Sequence, residues 1–213
     1  AGSSMMYGIK RGLYSNEAGI GSAPNAAAAA DISHPAKQGL VQMLSVFIDT
    51  LAICSATAFM CLSSGVAPSA EISGAPYVQQ ALSTMIGNVG YYFVTFALIL
   101  FAFTTLIGNL YYVDNNLAYI NKKMPSNTFM FVYRIIAVAI IFVGALNEVD
   151  LAWNLADLLM GVMAVINLPA ILILGKAAIN CLKDFEKQRN EGKNPVFVAK
   201  EIGLDDSKLD YWK

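Results

Sequence analysis

Residues 151–174 read "LAWNLADLLMGVMAVINLPAILIL". Helical rise is 1.5 Å per residue, so this run measures about 36 Å, enough to cross a hydrocarbon core of about 30 Å. Three further apolar runs, Gly39 to Leu62, Val89 to Val113 and Phe129 to Leu146, reach the same class. Each is about 18 residues or more, the length a membrane helix needs. All four contain Gly, Pro, Ser, Thr or Asn, which membrane helices tolerate because neighbouring helices satisfy the freed backbone groups. Composition agrees: 56% of the 213 residues are hydrophobic and 14% are charged, against about 25% charged in an ordinary soluble domain. The expected fold class is all-α integral membrane with about four transmembrane helices.

Charge sets an expected orientation. The fourteen Lys and Arg fall in three places: before the first run (Lys10, Arg11, Lys37), between the second and third and just into the third (Lys122, Lys123, Arg134), and from Lys176 onward. With four spans those places share one side. The two other loops, 63–88 and 147–150, hold Glu71, Glu148 and Asp150 but no cation. The positive-inside rule makes the first side cytoplasmic. The expected division is a cytoplasmic loop over 1–36, transmembrane helices over 37–180 and a cytoplasmic tail over 181–213, in a multi-pass protein of the cell membrane. The tail mixes both charge signs and reads as a solvated helix extension followed by a short amphipathic or loose segment.

Polar groups inside the runs are candidate functional residues, since an ionisable group in mid-span costs roughly 2.5 to 3.5 kcal/mol on insertion scales. Asp49 lies near the middle of the first run with Thr50 beside it; the carboxylate either bonds to a neighbouring helix or binds a coupling ion. In the second run Thr104 and Thr105 share a helix face with the carbonyl of Phe101. Those hard oxygens suit a small cation such as sodium, although adjacent threonines also commonly bond back to their own helix. In the fourth run Asp157 follows Trp153 by one turn. Trp153 serves either as an interfacial anchor or, with Asp157, as closure of an outer cavity mouth. Asn167 and Pro169 mark a place where that helix loosens or kinks. His34 precedes Pro35 and reads as a residue at the start of the first span. Cys54, Cys61 and Cys181 lack metal-ligand spacing and read as small buried side chains.

Ahead of the spans stands "KRGLYSNEAGIGSAPNAAAAA", residues 10–30. Its glycines suggest a phosphate-binding loop, but no Lys follows them and no strand precedes them. What remains is a glycine-punctuated loop carrying Ser15, Asn16 and Glu17, then an alanine-rich segment able to form a short helix or pack closely against a span.

"RGLYSNEAGIGSAPNAAAA" closely resembles the signature of the sodium:alanine symporter family, and the resemblance continues through "HPAKQGLVQMLSVFIDTLAIC", "LFAFTTLIG", "VYRI" and "WNLADLLMGVMAVINLPAI". The resemblance implies a LeuT-type inverted-repeat transporter, with this chain its carboxy-terminal part, beginning near the end of the sixth core helix and holding core helices seven to ten. The first repeat and the broken sixth helix are then expected to lie outside it. Met160 stands where a small polar residue is expected, a departure from the pattern. The resemblance further implies a sodium site from Thr104, Thr105 and the Phe101 carbonyl, completed by missing amino-terminal helices, and a weaker second ion position at Asp49 and Thr50. Phe103, Trp153 and Asp157 become candidates for lining or gating the pocket. Ser15, Asn16 and Glu17 would bridge moving and fixed parts, with Arg11 pairing to an acid when the inner gate closes.

The implied function is sodium-coupled import of a small neutral amino acid, alanine or glycine, by alternating access, with Na+ co-transported and no cofactor. Its partners are the amino acid, Na+, the bilayer and the rest of the same protein, with no nucleic acid. Alternatives are a proton-coupled or sodium-independent transporter and a non-transporting scaffold. An enzyme using Asp49 and Asp157 is disfavoured, because no nucleophile–histidine pair or metal cluster accompanies them.

Overall fold

A computed structural model describes residues 2–69, 72–147 and 149–209. Glu71, Glu148 and the last four residues of the tail lie outside them. The described residues form helices α1 (Gly2–Asn16), α2 (Ala23–Ala27), α3 (Pro35–Ile48), α4 (Ser55–Ser63), α5 (Ala75–Ile86), α6 (Asn88–Asn121), α7 (Asn127–Ala145) and α8 (Val149–Asn190). A π-helical segment, Asp49–Cys54, joins α3 to α4. Two short 3-10 turns, Ala199–Ile202 and Asp206–Lys208, follow α8. No strand occurs among the described residues.

Four helices are long and apolar enough to cross a membrane: Pro35–Ser63, Asn88–Asn121, Asn127–Ala145 and Asp150–Asn190. Each overlaps one expected run. Their large apolar side chains point outward: Leu172 is 81% exposed and Ile173 79%. That distribution would be unstable in water and suits faces covered by lipid or further helices. The helices also outlast their apolar cores. The second continues through Asp114, Asn115 and Asn116 until Lys122 turns left-handed at φ 58°. The fourth runs through Pro169 and on into the charged segment ending at Asn190, which is the helix extension expected of the tail.

The chain divides into two units, one made of the chain up to Leu44 with the chain from Lys123 onward, the other Ser45–Lys122. In the second unit α5 and α6 form a tight hairpin around Gly87. Ala81 and Val94 are buried in it, and Gln79 donates to the Thr95 hydroxyl at 2.8 Å. Gly90 sits so close to α5 that a Cβ there would stand 2.8 Å from the Leu82 carbonyl oxygen. In the first unit residues 10–37 and the tail are arranged against α8.

Candidate functional site

The signature block is a helix, a break and a second helix. Residues 2–16 wind into α1, which corrects the expected loop over that stretch. Helical geometry then fails because Glu17 takes φ 52°, Gly19 81° and Gly21 110°. Glycine adopts those values freely, whereas Glu17 does so against side-chain sterics. Pro24 in the first turn of α2 restarts the helix. The Ser22 hydroxyl donates to the Glu17 carboxylate at 2.6 Å across the break.

Three anchors fix this block along α8. At the first, the Asp157 carboxylate, 18% exposed, receives Lys10 Nζ at 2.6 Å and Arg11 Nη1 at 3.6 Å. The Arg11 guanidinium stands 4.2 Å from the Trp153 ring centre, and Tyr14 meets the same ring edge-on at 5.2 Å. A planar cation against an indole face is attracted by the ring quadrupole. At the second, the Asn167 side-chain amide donates to the Gly19 carbonyl at 3.0 Å. Its Cγ would lie 3.1 Å from a Cβ on Gly21. Only glycine lets the backbone come so near.

The third anchor is His34, which is fully buried. The Ala36 N–H donates to its Nδ1 at 3.1 Å, so the ring proton resides on Nε2, which faces Asp184 Oδ2 at 3.2 Å. Phe185 and Phe197 contact the imidazole edge-on, each at 5.2 Å. The tail returns here as an extended strap. Phe197 N–H donates to the Ser33 carbonyl at 2.9 Å, and Lys37 reaches Asn194 Oδ1 at 2.9 Å. Gln188 bonds the Val196 backbone through both ends of its amide, at 2.9 and 3.0 Å. His34 therefore begins the span as expected and also locks three segments together, a role its local sequence did not disclose.

The order of these anchors places the cations of the block along α8. Asp157 and Asp184 are separated along α8 by about 40 Å of helix, and Arg11 and His34 contact them in turn. Lys10 and Arg11 therefore do not share an end of the fourth span with His34 and Lys37. They sit beside Trp153 and Asp157, groups the sequence places at the opposite end. The acid that Arg11 meets is Asp157. The break at 17–22 follows the first anchor and contains the second, and Asp157 to Asn167 is about 15 Å of helix. That places Glu17 near the middle of the apolar run 151–174. Ser15 is exposed at the last turn of α1, while Asn16 and Glu17 are half-buried.

The other candidates lie in the second unit. Thr104 and Thr105 are both exposed on α6, as are Phe101 and Phe103. The Thr104 hydroxyl donates to the carbonyls of Leu100 at 3.0 Å and Phe101 at 3.1 Å, the back-bonded arrangement weighed for this pair. Asp49 is half-buried and opens the π-helical segment, an irregularity common at functional sites. The Cys54 thiol approaches its carboxylate at 3.9 Å, and the Thr50 hydroxyl donates to Val46 at 2.9 Å. No cluster of three or more His, Cys, Asp or Glu able to hold a metal ion occurs among the described residues.

The sodium:alanine symporter family matches residues 1–199. The chain belongs to that family. It is 44% identical over 211 residues to the probable sodium/glutamine symporter GlnT of Bacillus subtilis, covering 99% of this chain and 43% of that protein. It is 46% identical to the amino-acid carrier protein AlsT of Bacillus subtilis, covering 94% of this chain and 42% of AlsT. It is 38% identical to the sodium/proton-dependent alanine carrier protein of Bacillus sp. strain PS3, covering 100% and 50%. The chain thus spans about half the length of the curated relatives it matches. No solved structure matches it. The family and its relatives are transporters, not enzymes.

Proposed function

We propose that this chain supplies the second half of a sodium-coupled importer of a small neutral amino acid, working by alternating access in a LeuT-type fold. The observation that carries the proposal is the discontinuous helix α1–break–α2 held beside α8 at mid-span. Unwound backbone is tolerated at membrane depth only where protein or a cavity surrounds it, and in transporters such breaks hold substrate and ions. In this account the break is the broken core helix itself, in place of one expected to lie outside the chain. Backbone groups of the break hold the amino acid, and the Arg11–Asp157–Trp153 cluster closes one mouth of the pocket.

Sodium is assigned to Thr104, Thr105 and the Phe101 carbonyl, with Asp49 and Thr50 as a second position. The exposure of Phe101, Thr104 and Thr105 leaves that face of α6 open to helices of the complete protein. Thr104 must turn from its own backbone to ligate. The His34 end, with Lys37, Lys176, Lys183 and Lys187 near it in the spans and tail, is assigned to the cytoplasm. Coupling is then a differential affinity, each ligand shifting the conformational equilibrium by its preference for one state.

The test is uptake by the complete protein in proteoliposomes, with alanine, glycine and glutamine compared under an imposed sodium gradient. Gradient-driven uptake of alanine or glycine, lost in Thr104→Ala/Thr105→Ala, is expected. Preference for glutamine would reassign the substrate, and uptake indifferent to sodium would remove the coupling ion.

A further inference from the structure

The strap of the tail is held by its backbone along both edges. Pro195, Phe197 and, just beyond, Ala199 are buried, whereas Asn194 and Val196 are exposed, the period-two alternation of an extended chain. On one edge the Ser33 hydroxyl donates to the Pro195 carbonyl at 2.9 Å, and the Phe197 N–H donates to the Ser33 carbonyl at 2.9 Å. On the other edge Gln188 takes both polar groups of Val196: its Oε1 accepts the N–H at 3.0 Å and its Nε2 donates to the carbonyl at 2.9 Å. Successive residues of an extended chain turn their N–H and C=O to opposite edges. Ser33, which leads into the first span, and Gln188, on α8, therefore flank the strap and are joined through it. The side chains repeat the join. Phe197 meets the buried His34 ring, which faces Asp184 of α8, and Lys37 in the first turn of α3 reaches Asn194. Gly192, left-handed at φ 74°, ends α8 and lets the chain turn back. The same helix α8 holds the break, through Asp157 with Arg11 and Asn167 with Gly19.

We propose that the strap is a mechanical clamp. It keeps the entry of the first span and the end of α8 together as one rigid body through the transport cycle, so that a displacement of α8 at the break is delivered to the first span. The clamp rests on the transporter assignment above and gives the tail a part in it that involves contact with neither substrate nor ion. Every polar backbone group from the Pro195 carbonyl to the Phe197 N–H is paired, alternately with Ser33 and Gln188. Phe197 is 6% exposed and Ala199 is fully buried, so opening the strap would return that apolar surface to water. A segment held in this way is a tie that stays closed while helices move, not a lid that lifts in each cycle. Energetic coupling between distant sites is carried by such contiguous bonded and packed contacts.

The experiment uses the complete protein in liposomes, with Cys54, Cys61 and Cys181 changed to Ser and spin labels at Leu40→Cys on α3 and Lys183→Cys on α8, both exposed positions. Pulsed electron paramagnetic resonance reads the distance between the labels with and without alanine and NaCl, and initial alanine uptake is measured beside it. The clamp predicts one narrow distance, the same in both conditions. In Phe197→Ala the distribution broadens and uptake falls about tenfold, while the rise in Tm on adding alanine with sodium, which reports binding to the folded protein, is retained. Gln188→Ala, which releases one edge only, gives the same changes in smaller measure and serves if Phe197→Ala does not fold. Separately, a short bifunctional thiol reagent bridges Lys37→Cys to Asn194→Cys. The bridged protein is expected to transport like its unbridged form, and the bridge is expected to restore uptake to Phe197→Ala. A label distance that changes with alanine, arrest of uptake by the bridge, or wild-type distance and uptake in both Phe197→Ala and Gln188→Ala would overturn the clamp. A wild type that moves no amino acid, yet shows a narrow distance that broadens in Phe197→Ala, would overturn the transport assignment and leave the tie between the two helices standing.

Discussion

Asn167 in the middle of α8 donates its side-chain amide to the carbonyl of Gly19, 3.0 Å away and 148 residues earlier in the chain. This bond holds the break against the fourth span at its apolar level. Asn167→Ala leaves that carbonyl unmatched, a loss of about 1 to 3 kcal/mol. Asn167→Asp replaces the donor with an acceptor and is predicted to be at least as damaging. Thermal unfolding of the complete protein in detergent checks both.

Gly21 tests the same contact from the other side. Its φ of 110° and the 3.1 Å approach of Asn167 Cγ to a prospective Cβ make Gly21→Ala doubly unfavourable. The backbone share alone is about 1 to 2 kcal/mol. Adding Asn167→Ala removes the close contacts of Cγ and Oδ1 but leaves the Asn167 Cβ at 3.2 Å and the backbone strain. The double variant is therefore predicted to cost less than the two single changes summed, a non-additivity read by the same unfolding measurement.

The cluster at Asp157 predicts a geometric dependence. Asp157→Asn leaves Lys10 and Arg11 facing one another without their shared acid, and uptake is expected to fall at least tenfold. Arg11→Lys keeps the charge but loses the planar group stacked on Trp153. It is expected to retain less activity than Trp153→Phe, which keeps an aromatic face. Initial uptake rates of the variants, normalised to protein in the membrane, decide this.

The four spans were legible in the sequence because apolar runs of membrane length have few alternatives. Their ends were less so. The second apolar run ends at Val113, yet the helix continues through Asp114, Asn115 and Asn116 to Asn121. The block at 10–30 reads as a loop because its Gly, Ser, Asn and Pro signal one locally, whereas its first residues continue a helix to Asn16, and Lys10 and Arg11 count as cytoplasmic cations by composition alone. What positions them is Asp157, at a sequence distance no periodicity reveals. His34 was seen as the start of a span, but its bond to Asp184 and its contact with Phe197 depend on the tail folding back. The residues of the block, Arg11 and Glu17 above all, were identified by type and resemblance; their position along α8 came from the structure.

The strap at residues 194–198 is predicted to be an integral part of the fold. Phe197 is 6% exposed, and truncating a buried Phe to Ala typically costs about 3 to 5 kcal/mol. Phe197→Ala, or Gln188→Ala, should raise hydrogen exchange at Phe197 and Val196 and expose the segment to protease. Unchanged protection would show that the strap holds without them.

Beyond the strap, the turn Asp206–Lys208 is predicted to be acid-sensitive. The Ser207 side chain and its N–H, the latter at 3.0 Å, hold the Asp205 carboxyl below its ordinary range. A group depressed on folding stabilises the turn above its unfolded pKa, near 3.9, and that contribution is lost as pH falls through the folded value. Exchange of the Ser207 amide should therefore stay constant from pH 7 to about 5, after correction for intrinsic rates, and its protection should fall below pH 4.

The central claim, that the signature break lies within the membrane against α8 and holds the substrate, is tested most directly by cysteine labelling. In the complete protein with Cys54, Cys61 and Cys181 changed to Ser, Ala18→Cys is compared with Asp31→Cys, an exposed position beyond α2. A membrane-impermeant thiol reagent is applied from each side. Slow labelling of Ala18→Cys, slowed further by alanine with sodium, beside rapid labelling of Asp31→Cys that ignores both, is the predicted result. Equal, ligand-independent labelling at both positions from one side would contradict it.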